Sequence, residues 1–255
     1  MIFKNIFLYT IITQEKQVLK KVRKNLKSSY FYNLFTNFFG KYKKSYSENF
    51  GEDLFVDFFF KEFKKGSYVD VGCNLPKTSS LTYLLYKKGW SGINIDISKR
   101  AIDLNKVIRK RDINLNISIG KEEKIIDSFI FYDNCSMNTV DKKFKEYTRK
   151  SVNKDPEVVK IEQLKLDSVL RKYNMNKINY LNIDVEGNEL NTLNGFSINK
   201  YNPDLVSIEI HDKTCPPLNN KIYKYFLNKK YSLISIYGWT YFFCKYDNKK
   251  IHFNI

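Results

Sequence analysis

Hydrophobic and polar positions between residues 46 and 255 change period repeatedly, from short apolar runs to stretches with helical spacing. Five apolar runs predict strands, at 68–71, 92–96, 113–119, 178–184 and 205–211. Segments with helical spacing precede or separate them, at 51–63, 79–88, 101–109, 166–173 and 189–193. Because such alternation favours parallel strands with right-handed crossovers, it predicts an α/β fold with a doubly wound, mainly parallel sheet.

The last part of the chain departs from this alternation. A helix is predicted at 221–229, and two short apolar runs then flank Tyr237 and Gly238, a pair typical of a hairpin turn. The sheet is therefore expected to have seven strands and to end in an antiparallel hairpin. In the middle of the chain, a short element is predicted at 128–132, and the polar segment 135–156 is expected to be a mobile loop.

Residues 1–45 differ in composition from the domain predicted at 46–255. Cations between positions 16 and 27 precede a cluster of aromatic residues between positions 30 and 39. We interpret this basic, aromatic-rich segment as a helical extension. It could cover the side of the domain, or lie on an anionic membrane or contact a partner.

A net charge of +17 favours an anionic partner, which could be nucleic acid, phospholipid, a nucleotide-sugar or an acidic glycan. The abundance of Lys, Asn, Ile, Phe and Tyr is also what AT-rich coding produces, so charge alone does not choose among them. The four cysteines lie far apart without a CxxC pair, which favours a reduced, cytoplasmic setting. The apolar start is too short to cross a bilayer, although peripheral contact with the inner face of a membrane stays open.

Polar residues gather where the predicted strands end, which is where open α/β sheets bind ligands. Asp70, Gly72 and Asn74 follow the first strand, where the glycine lets the backbone approach a ligand and Asp70 could hold a cationic amine. Asp96 ends the second strand at a distance from the glycine turn that suits a carboxylate binding ribose hydroxyls. Its alternative role is to cap the following helix. Ile97 comes directly after it and is included among the candidate cofactor residues.

The later strand ends supply further candidates. Ser118 and Ile119 close the third strand and could border an adenine ring, or simply form a turn. Asp184 closes the fourth strand and is expected to point into the crevice, whereas Glu186 and Glu189 could equally cap the next helix or place charge in its first turn.

The fifth strand places Ser207, Glu209 and His211 on one face by period-two alternation. His211 is the candidate general base, because its titration range lets it take a hydroxyl proton near neutral pH. A histidine bonded only to backbone is the alternative. Asp184, Glu209 and His211 could instead coordinate a divalent metal ion that acidifies an acceptor hydroxyl, although the spacing does not require one.

Several ordered blocks between positions 46 and 211 resemble the FkbM-type methyltransferase family. They are Val69-Asp70-Val71-Gly72, Lys88-Gly89-Trp90, Gly92-Ile93-Asn94-Ile95-Asp96, Ser136-Met137-Asn138-Thr139 and Leu181-Asn182-Ile183-Asp184-Val185-Glu186-Gly187. The resemblance implies a Rossmann-like class I methyltransferase fold, S-adenosylmethionine as cofactor and O-methylation, with a sugar hydroxyl as acceptor. It also implies that Asp70, Gly72 and Asn74 lie at the cofactor turn, Asp96 at the ribose and Asp184 beside the transferable methyl.

The sequence therefore predicts an S-adenosylmethionine-dependent O-methyltransferase that acts on a sugar or glycan hydroxyl of a polysaccharide, lipopolysaccharide or nucleotide-sugar. In this hypothesis His211 is the base, Asp184 and Glu209 orient it or the substrate, and the basic segment 142–154 covers the site or holds an acidic acceptor. An RNA methyltransferase is the first rival, disfavoured because the aromatic cluster precedes the domain and shows no recognisable RNA-binding module. A non-catalytic Rossmann-fold protein that binds a ligand or a membrane is the second.

Overall fold

The computed structural model describes residues 44–47, 50–132, 136–211 and 217–245. The compact unit that contains the elements below begins at Ser45. The extension predicted at 1–45 and the membrane contact considered for it lie outside the described residues, apart from positions 44 and 45. Within the described ranges, no helix is long and apolar enough to cross a membrane.

Helices and strands alternate along most of the described chain. In chain order they are α1 (Glu52–Phe59), β1 (Ser67–Val71), α2 (Tyr83–Lys87), β2 (Ser91–Asp96), α3 (Lys99–Ile108), β3 (Ile113–Asn116), β4 (Ser118–Ile119), β5 (Lys124–Ile130), α4 (Lys142–Val152), β6 (Glu157–Leu164), α5 (Leu166–Lys172), β7 (Tyr180–Ile183), α6 (Glu189–Asn194), α7 (Ile198–Tyr201), β8 (Leu205–Glu209), α8 (Lys221–Asn228), β9 (Tyr231–Tyr237) and β10 (Thr240–Lys245).

Seven strands form the main sheet in the spatial order β3-β2-β1-β7-β8-β10-β9. The first five pair in parallel, and β10 is antiparallel to both of its neighbours. This confirms the predicted Rossmann-like, doubly wound sheet with its C-terminal hairpin. The chain runs outward from β1 to β3 and then crosses to β7 on the other side of β1. The strand order therefore reverses between β1 and β7, which is where such sheets open a ligand crevice.

Alternating side chains on the central strands fill both faces of the sheet. Val69 and Leu181 belong to one buried cluster, to which helix α5 contributes. Tyr68 and Tyr180, one position earlier on the same strands, belong to the opposite cluster with Trp90 and helix α1. Because both faces are buried, the carboxyl edge of the sheet is held from two sides.

The strand predicted at 113–119 is wrong in one respect, since it is broken at Ile117. The side-chain amide of Asn116 donates to the backbone carbonyls of Asp96 and Ile97, at 3.0 and 2.9 Å, and closes the end of the β2–β3 ladder. The next two residues, β4, pair with β6 in a second, three-stranded sheet of order β4-β6-β5.

The mobile loop predicted at 135–156 is also wrong over most of its length, because it contains helix α4. Asp141 caps this helix by accepting the backbone N–H groups of Lys143 and Phe144 at 2.8 and 2.7 Å. Asn153, at φ 49°, ends it in the left-handed conformation. The flanking strands β5 and β6 pair antiparallel, so the segment is an ordered insertion carried on a hairpin.

Candidate active site

A cavity of about 370 Å³ opens at the carboxyl ends of β1, β2, β7 and β8. Its wall joins residues from the β1–β2 side, such as Gly72 and Asp96, to residues from the β7–β8 side, such as Asp184 and Glu209. It thus lies at the reversal of strand order. The volume falls in the usual range for small-molecule sites.

The turn after β1 forms the floor of this cavity. Gly72 has a φ of 84°, and a Cβ built on it would overlap the backbone carbonyl oxygen of Asp184. Only glycine satisfies both conditions. Two residues later Asn74, at φ 45°, donates its backbone N–H to Asp96 at 2.8 Å. The first and second strand ends are therefore locked together at the predicted cofactor turn.

Asp96 faces the cavity with both of its oxygens already hydrogen-bonded. One accepts the Asn74 backbone N–H, and the other accepts that of Ser98 at 2.7 Å. Helix α3 is capped by the Ser98 hydroxyl, which accepts the Ala101 N–H, so the alternative role of Asp96 as helix cap is wrong. Desolvation raises the pKa of Asp96 to about 6, although backbone hydrogen bonds, foremost those from Ser98 and Asn74, oppose the rise. Each oxygen keeps a second acceptor position for a ligand hydroxyl.

Asp70 does not line the cavity, which corrects the expectation that it contacts a ligand amine. Its side chain points into the same layer as Tyr68, because side chains alternate along a strand. There it is 2% exposed, and it accepts hydrogen bonds from the Thr82 hydroxyl at 2.7 Å and the Asn182 amide at 2.9 Å. Burial raises its pKa. Asp70 therefore ties β1 to β7 beneath the turn.

Ile97, Ser118 and Ile119 all lie on the cavity wall, where the sequence placed them. The break at Ile117 leaves them there because β4 continues along the same edge. Asn188 joins them and donates its side-chain amide to the backbone carbonyl of Ile119 at 3.0 Å. Asn188 was missed, since a polar residue beside a helix start has no distinctive signal.

Acidic side chains crowd the opposite end of the cavity. Asp184, Glu186 and Glu209 all line it. Nε2 of His211 lies 3.0 Å from a Glu209 carboxylate oxygen and 3.9 Å from one of Glu186. His211 is 42% exposed but does not itself line the cavity, so the candidate base lies behind the two glutamates.

The residues that could hold a divalent ion are not the predicted set. One ligand atom from each of Glu186, Glu209 and His211 lies within 4.8 Å of the others, so that Glu186 replaces Asp184. Glu186 adopts a left-handed backbone, with φ 54°, and this turns the chain beyond β7. Glu189 accepts the Gly187 backbone N–H at 3.0 Å and stays within the first turn of α6, as one of its two predicted roles requires.

Mutual repulsion shapes the acidity of these groups. Desolvation in the cavity and then repulsion from Glu209 raise the pKa of Asp184, although its side chain remains open to the cavity. The same causes raise the pKa of Glu186 to about 8. The hydrogen bond to Glu209 raises the pKa of His211. This end of the cavity therefore retains protons that isolated side chains of the same kind would lose.

Helix α4 reaches this acidic end with its first turn. The Thr139 hydroxyl, just before the helix, donates to the backbone carbonyl of Glu186 at 2.7 Å. The Phe144 ring lies 5.7 Å from the ring of His211, and the Trp239 ring lies 5.5 Å from the same histidine ring. The basic segment predicted to cover the site is thus a helix whose N-terminal end borders it.

A family model described as Methyltransferase FkbM domain matches residues 70–233, which include the carboxyl ends of β1, β2, β7 and β8. No curated protein matches the chain.

Proposed function

We propose, from the premise that this chain belongs to the FkbM methyltransferase family, that it transfers a methyl group from S-adenosylmethionine to a hydroxyl of a sugar or glycan. The supporting observation is the two-ended cavity at the reversal of strand order. One end offers a glycine turn and a carboxylate suited to an adenosyl ligand, and the other offers Glu209 backed by His211.

The chemistry of the cofactor end suits such a ligand. Asp96 would hold the ribose hydroxyls with its remaining acceptor positions, and Ile97, Ser118 and Ile119 would border the adenine. Gly72 leaves room for the ligand chain to pass close to the backbone. When bound, the cofactor supplies an electrophilic methyl group on a sulfonium sulfur.

At the acceptor end, the chain's own residues must remove one proton and align one oxygen. Glu209 faces the cavity and takes the proton of the acceptor hydroxyl. His211, 3.0 Å behind it and partly exposed, holds that carboxylate and offers the proton a route to solvent. This order reverses the roles expected from sequence, because the histidine is the residue outside the cavity wall.

The proposal is tested with labelled S-adenosylmethionine, a panel of neutral, amino and acidic sugars and glycans, and RNA. We expect label in a sugar and none in RNA; label in RNA alone would overturn the acceptor assignment. Glu209→Gln should lower kcat by about 10²–10⁴-fold, the usual contribution of a positioned acid or base, with cofactor affinity unchanged. His211→Gln should have a smaller effect and move the pH profile of kcat, since only the histidine's link to Glu209 is lost.

A chelator arm addresses the metal alternative. If Glu209 takes the proton of the acceptor hydroxyl without a metal ion, turnover should continue after divalent ions are chelated. Loss of turnover that Mg²⁺ or Mn²⁺ restores would give the acceptor-activating role to an ion held by Glu186, Glu209 and His211.

A further inference from the structure

The ionisable residues that line the cavity are acidic, although the chain as a whole is basic. The protein carries a net +17, yet the described residues that line the cavity include no Lys or Arg. The carboxylates among them are Glu52, Asp96, Asp184, Glu186 and Glu209. Asp184 and Glu186 retain protons near neutral pH, but no described lining residue is a lysine or arginine, so a phosphate or carboxylate brought into this space would be desolvated without a lining cation to pair with.

An aromatic wall bounds the acidic end. Trp239, 50% exposed, and Phe50, 61% exposed, both line the cavity together with Tyr237. A Cβ on Gly238 would overlap the Phe50 ring, so the hairpin turn and Phe50 form one continuous surface. Half-exposed aromatic faces on the wall of a cavity provide flat apolar area that a ligand can cover.

Trp239 is placed to meet the acceptor. Its ring contacts the ring of His211 at 5.5 Å between centroids, and His211 holds Glu209, which faces the same space. The face of an indole carries partial negative charge, which attracts polarised C–H groups and cations but not anions. The aromatic wall and the acidic lining therefore both favour a ligand without negative charge.

We propose that Trp239 is the stacking platform for the acceptor and that the acceptor is a sugar ring without a negatively charged group, either uncharged or bearing a protonated amine. The identity of the ligand as a sugar rests on the proposed function. The inference narrows that function, because it excludes nucleotide-sugars, sugar phosphates, uronic acids and RNA from this end of the cavity. The described Lys and Arg side chains all lie outside the lining of the cavity.

Intrinsic fluorescence can test this proposal directly. The chain has two tryptophans, of which Trp90 is fully buried and Trp239 is half exposed, so quenching by a ligand reports Trp239. The full chain is titrated with methyl hexosides of gluco, galacto, manno and 6-deoxy configuration, and with the corresponding amino sugars, uronic acids and 6-phosphates. We expect quenching by neutral or amino forms, with apparent affinity at least about 10-fold tighter than for the anionic counterparts. Equal or tighter binding of the anionic forms, or quenching by none, overturns the proposal.

Variants extend the test to turnover. Trp239→Ala should raise KM for the acceptor by about 10-fold or more, whereas Trp239→Phe, which keeps a flat ring, should raise it much less. Tyr132→Ala removes an aromatic ring that is 46% exposed away from the cavity wall, and should leave KM unchanged. If Trp239→Ala behaves like Tyr132→Ala, the platform is elsewhere.

Calorimetry with S-adenosylhomocysteine separates the two proposals. Absence of cofactor binding would remove the proposed function, whereas the quenching experiment is read without cofactor. Cofactor binding without discrimination against anionic sugars would remove only the present inference.

Discussion

The carboxyl groups at the two ends of the cavity have different neighbours. At the cofactor end, Asp96 accepts two backbone N–H groups, and Asp70, below it, accepts a hydroxyl and an amide. At the acceptor end, Asp184, Glu186 and Glu209 stand side by side, and among the described residues only His211 brings a positive charge within ion-pair distance of them.

This contrast suits two kinds of ligand. Hydrogen bonds that are already made before binding hold a carboxylate in one position, so that no rearrangement is needed when a ligand of constant shape arrives. Like charges held together are unfavourable until a ligand or a proton relieves them. The first end therefore suits a ligand of fixed shape, and the second holds carboxyl groups whose charge depends on bound protons or ligands.

The largest expected effect comes from breaking the link between the two ends. Gly72→Ala places a Cβ onto the Asp184 carbonyl in a backbone conformation that disfavours side chains. Strain and overlap together should lower the free energy of unfolding by about 3–5 kcal/mol, or roughly 10 °C in Tm. Thermal denaturation measures the loss, and calorimetry should show that cofactor binding disappears with it.

Gly89→Ala is the matched control. Gly89 has a similar φ of 93° but nothing within 4 Å of the added Cβ. Only the conformational cost of about 1–2 kcal/mol should remain, with cofactor affinity intact. Equal losses in the two variants would mean that the packing of Gly72 on Asp184 contributes nothing.

A smaller effect is expected at the cofactor end alone. Asp96→Asn should weaken cofactor binding by about 10-fold, because one carboxylate acceptor becomes a donor, while kcat at saturating cofactor changes little. Asp103→Asn on the exposed face of α3 is the control and should change neither quantity. Unaltered affinity in Asp96→Asn would remove the ribose assignment.

The same carboxylate predicts a pH dependence. The ionised form accepts ligand hydroxyls, and the pKa of Asp96 is about 6 in the free protein. Cofactor affinity should therefore be constant above that value and fall as pH drops below it. The decrease should be absent in Asp96→Asn. A pH-independent affinity between 5 and 8 would contradict the assignment.

The smallest effect tests the stored charge. The pKa of Glu186 is about 8 in the folded chain, above its ordinary value, so its ionised form destabilises the fold, and the cost grows as pH rises toward 8. Glu186→Gln should raise Tm by roughly 2–4 °C at pH 8, corresponding to about 1 kcal/mol, and by almost nothing near pH 4.5. A gain that does not depend on pH would mean that packing, rather than charge, is responsible.

The strand ends could be predicted from sequence because parallel strands bring their carboxyl ends to one edge whatever their exact bounds. That rule found Gly72, Asp96, Asp184 and Glu209. It failed for Asp70. The alternation of side chains along β1 places Asp70 on the same buried face as Tyr68, where it bonds Thr82 instead of lining the crevice.

Other features depend on contacts that no local pattern encodes. Glu186 lies 3.9 Å from His211 and has a positive φ, and Trp239 lines the cavity beside a hairpin turn that packs on Phe50. The insertion α4 is different, since its signals were present: Asp141 at the cap and Asn153 at the end are both typical of helix limits. Because the segment is highly charged and polar, its composition predicted a loop despite these two residues.

The break at Ile117 has an architectural consequence. It transfers the chain from the main sheet to a separate three-stranded arm, in which β5 and β6 carry α4. The arm contacts the Glu186 backbone through Thr139 and the His211 ring through Phe144, but it supplies none of the groups that hydrogen-bond Asp96. Because β4, which brings Ser118 and Ile119 to the cavity wall, pairs with β6, a change in the length of this arm would alter both the acidic end of the cavity and the wall at Ser118 and Ile119.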